Sequence, residues 1–355
     1  MRWRSWLLIS TLLICCACSK GNEDHQNNAA GDSIPENATI WQRAAFRWGA
    51  AVNAKLLRNN AAYRAIVTRE DNSVTPENAM KITRIRSSPD TWNFSDADYI
   101  VNYAIENNKR IHGHTLIWYR VPAWLETYQA DAAGWEQLFK EYIQTVVSRY
   151  KGKVGSWDVV NEAIDDNGNL RDCVWLRNLG ADYIARAFQY AHEADPDALL
   201  FYNDYGQEQS ELKRNASLAL INSLISRSVP IHGIGLQMHI SKNTSEENLA
   251  AAINTAAKTG LQIHISELDI AMNPENNPDL TYNTALAEMQ SKKYNFIVKT
   301  YNAIPEAQRF GITTWNVTDG DSWIVDAFKR PDWPLPFDKD YKRKAAYRGI
   351  LEALK

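Results

Sequence analysis

Hydrophobic and polar positions follow two different rhythms along this chain. From about residue 47, short apolar runs rich in β-branched and aromatic residues recur, and longer segments with helical spacing lie between them. Eight of the runs read as strands: RWGAAVN (47–53), NSVTPE (72–77), RIHGHTLIW (110–118), SWDVVNEA (156–163), LLFYNDY (199–205), IHGIGLQMH (231–239), LQIHISELD (261–269) and FGITTWNV (310–317). Each starts at least 25 residues after the one before, which leaves room for a crossover helix and predicts parallel pairing rather than hairpins. Between the third and fourth runs, Trp135, Leu138, Phe139, Tyr142, Ile143, Val146, Val147 and Tyr150 fall at alternating spacings of three and four. That spacing puts one apolar stripe on a helix, and such a stripe needs a sheet or barrel to bury it. Thr244 and Glu247 form a capping-box pattern for a helix that Gly260 stops, and Asp195-Pro196 ends the helix before the fifth strand. Eight strand and helix units, with no dinucleotide-type glycine fingerprint and no internal repeat, predict an α/β chain folded as a single-domain (β/α)8 TIM barrel over residues 39–355.

The first residues break both rhythms. MRWRSWLLISTLLICCACSK carries Arg2 and Arg4, an apolar run from Trp6 to Ile14, then small residues and cysteines. The run is too short to span a bilayer as a mature helix, so residues 1–18 read as a cleaved export signal. The cysteines resemble the end of a bacterial lipoprotein signal peptide. Cys18, after Ala17, is expected to be the lipidated first mature residue, with Cys16 as the competing choice. The expected location is the bacterial cell envelope, as a lipoprotein anchored in the outer membrane or at the cell surface, with the lipid as its sole membrane contact. Residues 19–38 are polar and read as a flexible tether. After processing at Cys18 only Cys173 remains as a free thiol, which leaves neither a disulfide framework nor a cysteine-rich metal site.

Composition narrows the function classes. A length of 355 residues suits one barrel, and a formal net charge of −3 without a basic stripe argues against a nucleic-acid partner. The chain holds 13 Trp and 16 Tyr, side chains that fill a large core and also stack on the faces of sugar rings. A barrel builds its active site at the C-terminal ends of its strands, so those positions form one surface. They are Glu77, Asn78 and Lys81; His114 and Trp118; Asn161 and Glu162; Asn203 and Tyr205; Gln237 and His239; Glu267 and Asp269; then Trp315 and, beyond it, Trp323. A lone strand-end carboxylate reads equally well as a surface ion pair. Two of them, Glu162 and Glu267 on the fourth and seventh strands, face each other across the mouth, the arrangement that glycoside hydrolysis requires. Carboxyl groups about 5–5.5 Å apart give retention of configuration, and about 6.5–9.5 Å gives inversion.

WDVVNEA and ISELDI, together with NSVTPENAMK, HGHTLIW, FYNDYG, GIGLQMHI and TTWNVTDGDSW, closely resemble glycoside hydrolase family 10, the retaining endo-β-1,4-xylanases. The likeness runs in order from Trp48 to near Leu354. It implies that Glu162 is the general acid/base, that Glu267 is the nucleophile, and that His239 bridges Glu267 and Asp269. It further implies that Asn161 bonds the sugar 2-hydroxyl, and that Glu77, Asn78, Lys81, His114 and Gln237 grip hydroxyls on the non-reducing side. Trp118, Trp315 and Trp323 would form apolar walls, Tyr205 would sit near the cleavage point, and the substrate would be xylan or xylo-oligosaccharide with no cofactor. Ala79, Ile82, Tyr119-Arg120, Asn316 and Ile324 depart from the family pattern.

Three rivals stay on the table. His112-Gly113-His114 resembles a metal-hydrolase pair, but such pairs sit on the first strand, and Lys81 nearby would repel a cation, so His112 reads as a structural residue and no metal is expected. A surface lipoprotein that binds polysaccharide without cutting it would be expected to have lost Glu162 or Glu267. A related retaining glycosidase acting on glucan, or from chain ends, shares the Asn-Glu pair and remains the nearest alternative. Oligomeric state is not legible.

Overall fold

A computed structural model describes residues 35 and 37–355. The predicted signal segment, Cys16, Cys18 and most of the predicted tether lie outside the described residues.

Eight strands form the framework: β1 (Arg47–Val52), β2 (Ser73–Pro76), β3 (Arg110–Gly113), β4 (Ser156–Asn161), β5 (Leu199–Asp204), β6 (Gly233–Leu236), β7 (Gln262–Ala271) and β8 (Arg309–Thr314). Each pairs in parallel with its sequence neighbours, and β8 pairs with β1 to close the ring. Closure explains the composition of these segments. A barrel strand faces side chains on one side and helices on the other, so β2, β4 and β6 are buried at every position. The predicted (β/α)8 architecture is the one observed.

The helix Ala132–Arg149 shows how the outer layer attaches. Asp131 caps it by accepting from Gly134 N at 2.8 Å, and the predicted stripe from Trp135 to Val147 is buried. Asp195 ends the helix Tyr183–Ala194 as the sequence implies. The capping-box expectation at Thr244 is corrected. Ser245 caps the helix Glu246–Ala257 and accepts from Asn248 N, while Thr244 Oγ1 accepts from Ser241 N at 3.2 Å and closes the preceding turn instead.

Inside the barrel, rings from four strands form one layer. His112, Phe201, His264 and Phe310 meet mostly edge to face, with His112 and His264 centroids 4.6 Å apart and Phe201 and Phe310 4.5 Å apart. Burial, with the His112 and Arg110 charges nearby, holds His264 well below the usual imidazole range, so it stays neutral beside Thr313. His112 Nδ1 lies 2.8 Å from Ser156 Oγ. Gly113 is dictated by the next strand, since a Cβ there would stand 2.2 Å from the Trp157 ring.

Two predicted strands are shorter than their apolar runs. In RIHGHTLIW the ladder stops at Gly113, because Thr115 Oγ1 and Leu116 N both donate to Asp158 O and the chain steps past one register before Ile117–Trp118 rejoins β4. In IHGIGLQMH the ladder stops at Leu236, since Met238 adopts a φ of 59°, and the short strand His239–Ser241 then pairs β7. Both interruptions fall at the mouth, where the site residues stand.

Candidate active site

Two β-bulges set the geometry of the mouth. On β4, Asp158 pairs Phe201 and Val160 pairs Tyr202, so one extra residue is inserted before Asn161. On β7, Ile265 pairs Ile312 and Leu268 pairs Thr314, so the extra residue falls at Ser266–Glu267. A bulge re-aims the side chains beside it. Here the two bulges immediately precede or contain the two carboxylate positions. Glu162, directly after β4, takes a φ of 60°, a left-handed conformation that a glutamate adopts at some cost. It is held there by its N–H, which donates to Asn203 O at 2.8 Å, and by Arg171, whose Nε donates to Glu162 O at 2.9 Å.

An amide network joins the carboxylates. Asn203 Nδ2 donates to Glu267 Oε1 at 2.7 Å and to Asn161 Oδ1 at 2.8 Å, while Asn203 Oδ1 accepts from Ser266 Oγ at 2.6 Å and so fixes which way the amide points. Gln237 Nε2 and Asn161 Nδ2 both donate to Glu162 Oε1 at 3.0 Å. None of the described hydrogen bonds uses Glu162 Oε2. Gly235 makes room for this network, since a Cβ there would stand 2.1 Å from Asn203 Oδ1.

The two carboxylates live in different surroundings. Glu162 is half-buried and meets neutral amide donors, whereas Glu267 is buried and both its oxygens are engaged. His239 Nε2 lies 3.1 Å from Glu267 Oε2, and His239 Nδ1 lies 2.9 Å from Asp269 Oδ2, to which Trp323 Nε1 also donates at 2.7 Å. Burial alone would pull the His239 pKa down, but the Asp269 and Glu267 carboxylates outweigh it and hold the pKa well above the imidazole range. Burial pushes Glu267 up, and the His239 hydrogen bond with the His114, His239 and Lys81 charges brings it below the usual glutamate range. For Asp269 burial wins over His239, leaving its pKa raised. The result is a largely buried, ionised carboxylate beside an imidazolium.

The other predicted residues assemble around this pair. Glu77, Asn78, Lys81, His114, Trp118, Tyr205, Trp315 and Trp323 line one cleft of about 810 Å³ with Asn161, Glu162, Gln237, His239 and Glu267. Asp269 lies beneath the cleft, fully buried behind His239. His114 binds Asp158 through Nδ1 at 2.8 Å, and His112 Nε2 lies 3.0 Å from the same carboxylate. Lys81 Nζ donates to Asn78 at 3.0 Å and lies over the rings of Trp118 and Trp315. Tyr205 Oη donates to Asp166 Oδ1 at 2.7 Å and accepts from Arg171 at 3.0 Å, which places it beside the segment that holds Glu162. Gln237 also lines the cleft, and its Nε2 donates to Glu162 Oε1 at 3.0 Å and to Asn161 Oδ1 at 3.3 Å.

Sequence reading gave no role to several residues that build the site. Asn203 stood among the strand ends, but its bridging role depends on the β4 bulge, which apolar spacing does not reveal. Asp158 and Arg171 act through His114 and the Glu162 backbone, and Asn53 donates to Glu77 Oε2 at 3.2 Å. Asn316, one of the departures from the family pattern, has a φ of 79°, and its Oδ1 accepts from Trp323 N at 2.9 Å. After glycine, asparagine is the residue that best tolerates this conformation, and here its side chain also anchors the Trp323 loop. Ile82 and Ile324 are buried and serve packing.

Comparison with known proteins matches the model of glycosyl hydrolase family 10 over residues 38–353. Endo-1,4-β-xylanase B of Paenibacillus barcinonensis is 38% identical over 320 residues, spanning 86% of this chain and 95% of that protein. Exoglucanase XynX of Acetivibrio thermocellus is 36% identical over 91% of this chain, which spans 30% of the longer protein. Among solved structures, xylanase 10B from Thermotoga petrophila RKU-1 in complex with xylobiose superposes with a TM-score of 0.82 at 35% identity, covering 89% of this chain and 95% of that one.

The His239 charge gives stability a signed dependence on pH. A histidine whose folded pKa is raised contributes fully below its unfolded value, near 6.5, and loses that contribution as pH rises through the folded value. Glu267, whose folded pKa is lowered, contributes fully above its unfolded value near 4.5 and loses it as pH falls through the folded one. Both are complete between about pH 4.5 and 6.5. In that window His239→Asn, which leaves a buried charge without its partner, should lower unfolding stability by about 3–5 kcal/mol. Urea unfolding of both proteins across pH should show the margin shrinking on the alkaline side, and a margin that grows there would contradict the assigned charge.

Proposed function

The chain belongs to glycosyl hydrolase family 10, and from that premise we propose that it is an endo-1,4-β-xylanase, cutting internal β-1,4-xylosidic bonds by a retaining double displacement. One observation carries this reading: two carboxylates at opposed strand ends share an amide network yet have unequal surroundings. Glu267, ionised against His239, attacks the anomeric carbon and forms the glycosyl-enzyme. Glu162, with Oε2 unengaged, gives its proton to the departing oxygen and then takes one from the water that releases the product. Asn161 stands between them, where it can bond the 2-hydroxyl of the sugar being cleaved as charge develops. Glu77, Asn78, Lys81 and His114 orient the chain, and Trp118, Trp315 and Trp323 supply its apolar walls. The xylobiose complex of a relative supports xylo-oligosaccharide as the ligand class.

A second reading, action on glucan or from chain ends, is favoured by the relative named as an exoglucanase. The N-terminal segment supports export to the bacterial envelope and lipidation at Cys18, with Cys16 as the alternative. Among the described residues no helix is long and apolar enough to cross a membrane.

Removing each carboxylate separates their roles. With dinitrophenyl xylobioside, whose leaving group needs no proton, Glu162→Ala should still release a burst of phenolate, while its rate on xylan falls by about 10²–10⁴. Glu267→Ala should release none. Equal loss of the burst in both variants sinks the assignment, and wild-type preference for dinitrophenyl cellobioside would favour the glucan reading. Mass spectrometry of the mature N-terminus should find a diacylglyceryl group on Cys18; an unmodified N-terminus contradicts the anchor.

A further inference from the structure

Arginines on this surface are mostly paired with acids. Arg58 meets Asp96 at 3.0 Å, Arg227 meets Asp182 at 2.9 Å, and Arg177 meets both Glu126 at 2.9 Å and Asp172 at 3.0 Å. Two arginines in the cleft break this pattern. Arg84 sits on the short helix Ile82–Ile85 that follows β2, and Arg120 lies two residues beyond Trp118. Both are exposed, both line the cleft, and among the described residues neither has a carboxylate within ion-pair distance. Arg120 donates from Nε to Tyr119 Oη at 2.9 Å and lies over the Trp118 ring, 5.1 Å from its centroid. Lys81 lies over the same ring at 4.8 Å. Cations therefore gather on the β2–β3 side of the mouth.

The rest of the cleft explains why this matters. Glu77, Glu162 and Glu267 open onto the same space, so an acidic group entering it is repelled unless cations receive it. A neutral sugar chain needs no such charge. Guanidinium groups suit a carboxylate, because their planar N–H donors match its two oxygens. With no protein acid on either of them, both guanidinium groups are free to receive a ligand carboxylate.

We propose that Arg84 and Arg120 form a recognition site for a carboxylate borne as a side group on xylan, a glucuronic acid decoration, so that the enzyme selects acidic over neutral xylan. The proposal rests on the xylanase reading. Both arginines are solvent-exposed, so the gain is modest and screened by salt. The preference should be about threefold to tenfold in kcat/KM at low ionic strength.

The test compares glucuronoxylan with the same polymer after its carboxyl groups are reduced to alcohols, which keeps the side sugar and removes the charge. Wild type should favour the acidic polymer by that factor at 20 mM salt and lose the preference at 0.5 M. In Arg84→Gln/Arg120→Gln the ratio of the two rates should fall toward one. A wild-type ratio near one, or a ratio that survives in the double variant, overturns the proposal. Undecorated xylohexaose in the same assay reports on the underlying reading: cleavage of it without an acid preference overturns only the arginine site, and no cleavage of any substrate overturns both.

Discussion

Everything at the mouth of this barrel depends on keeping one largely buried carboxylate ionised where it faces the cleft. Burying Glu267 opposes its charge, and burying Asp269 two residues away compounds the problem. The solution is a single imidazolium, with His239 donating to both. Each partner of that histidine is then held by something further out. Trp323 donates to Asp269, Asn316 receives the Trp323 backbone, and Asn203 takes the remaining oxygen of Glu267. The support of Glu267 thus reaches the loop after β8 and the C-terminal end of β5.

The strand ends are where regular barrel geometry is given up to serve this constraint. An undisturbed strand alternates its side chains and could not present Ser266 and Glu267 to the same amide. The β7 bulge allows it, and the β4 bulge brings Asn161 opposite Asn203. Glu162, Met238 and Asn316 all adopt left-handed backbone beside a site residue. Such conformations persist where the surroundings over-determine them. At Glu162 the surroundings are visible as the Asn203 carbonyl and the Arg171 side chain.

Much of this was legible from residue patterns, and the reasons it was legible are physical. Burial on both faces makes barrel strands read as apolar runs, so all eight were found. Strand ends are polar only where function requires it, so Glu162, Glu267, His239 and Gln237 stood out. The hidden part depends on register. The spacing of HGHTLIW looks like one strand, and only the Asp158 carbonyl, which accepts from Thr115 and Leu116, shows why the ladder breaks. Thr244 and Ser245 are equally good caps by type, and the turn from Ser241 decided between them. Arg120 stood out only as a departure from the family pattern and Arg84 not at all, because an unpaired charge is recognised by what surrounds it.

The central claim is that a carboxylate oxygen of Glu267 bonds the anomeric carbon as the leaving group departs, and that Glu162 forms no such bond. A xylobioside carrying fluorine at C2 and a dinitrophenyl leaving group destabilises the cationic transition state of both steps, while the good leaving group keeps the first one fast. The intermediate then accumulates on the enzyme. Mass spectrometry of the intact protein should show one added fluoroxylobiosyl group, and peptide sequencing should place it on Glu267 within ISELDI. A label on Glu162, or turnover without any covalent adduct, would contradict the account.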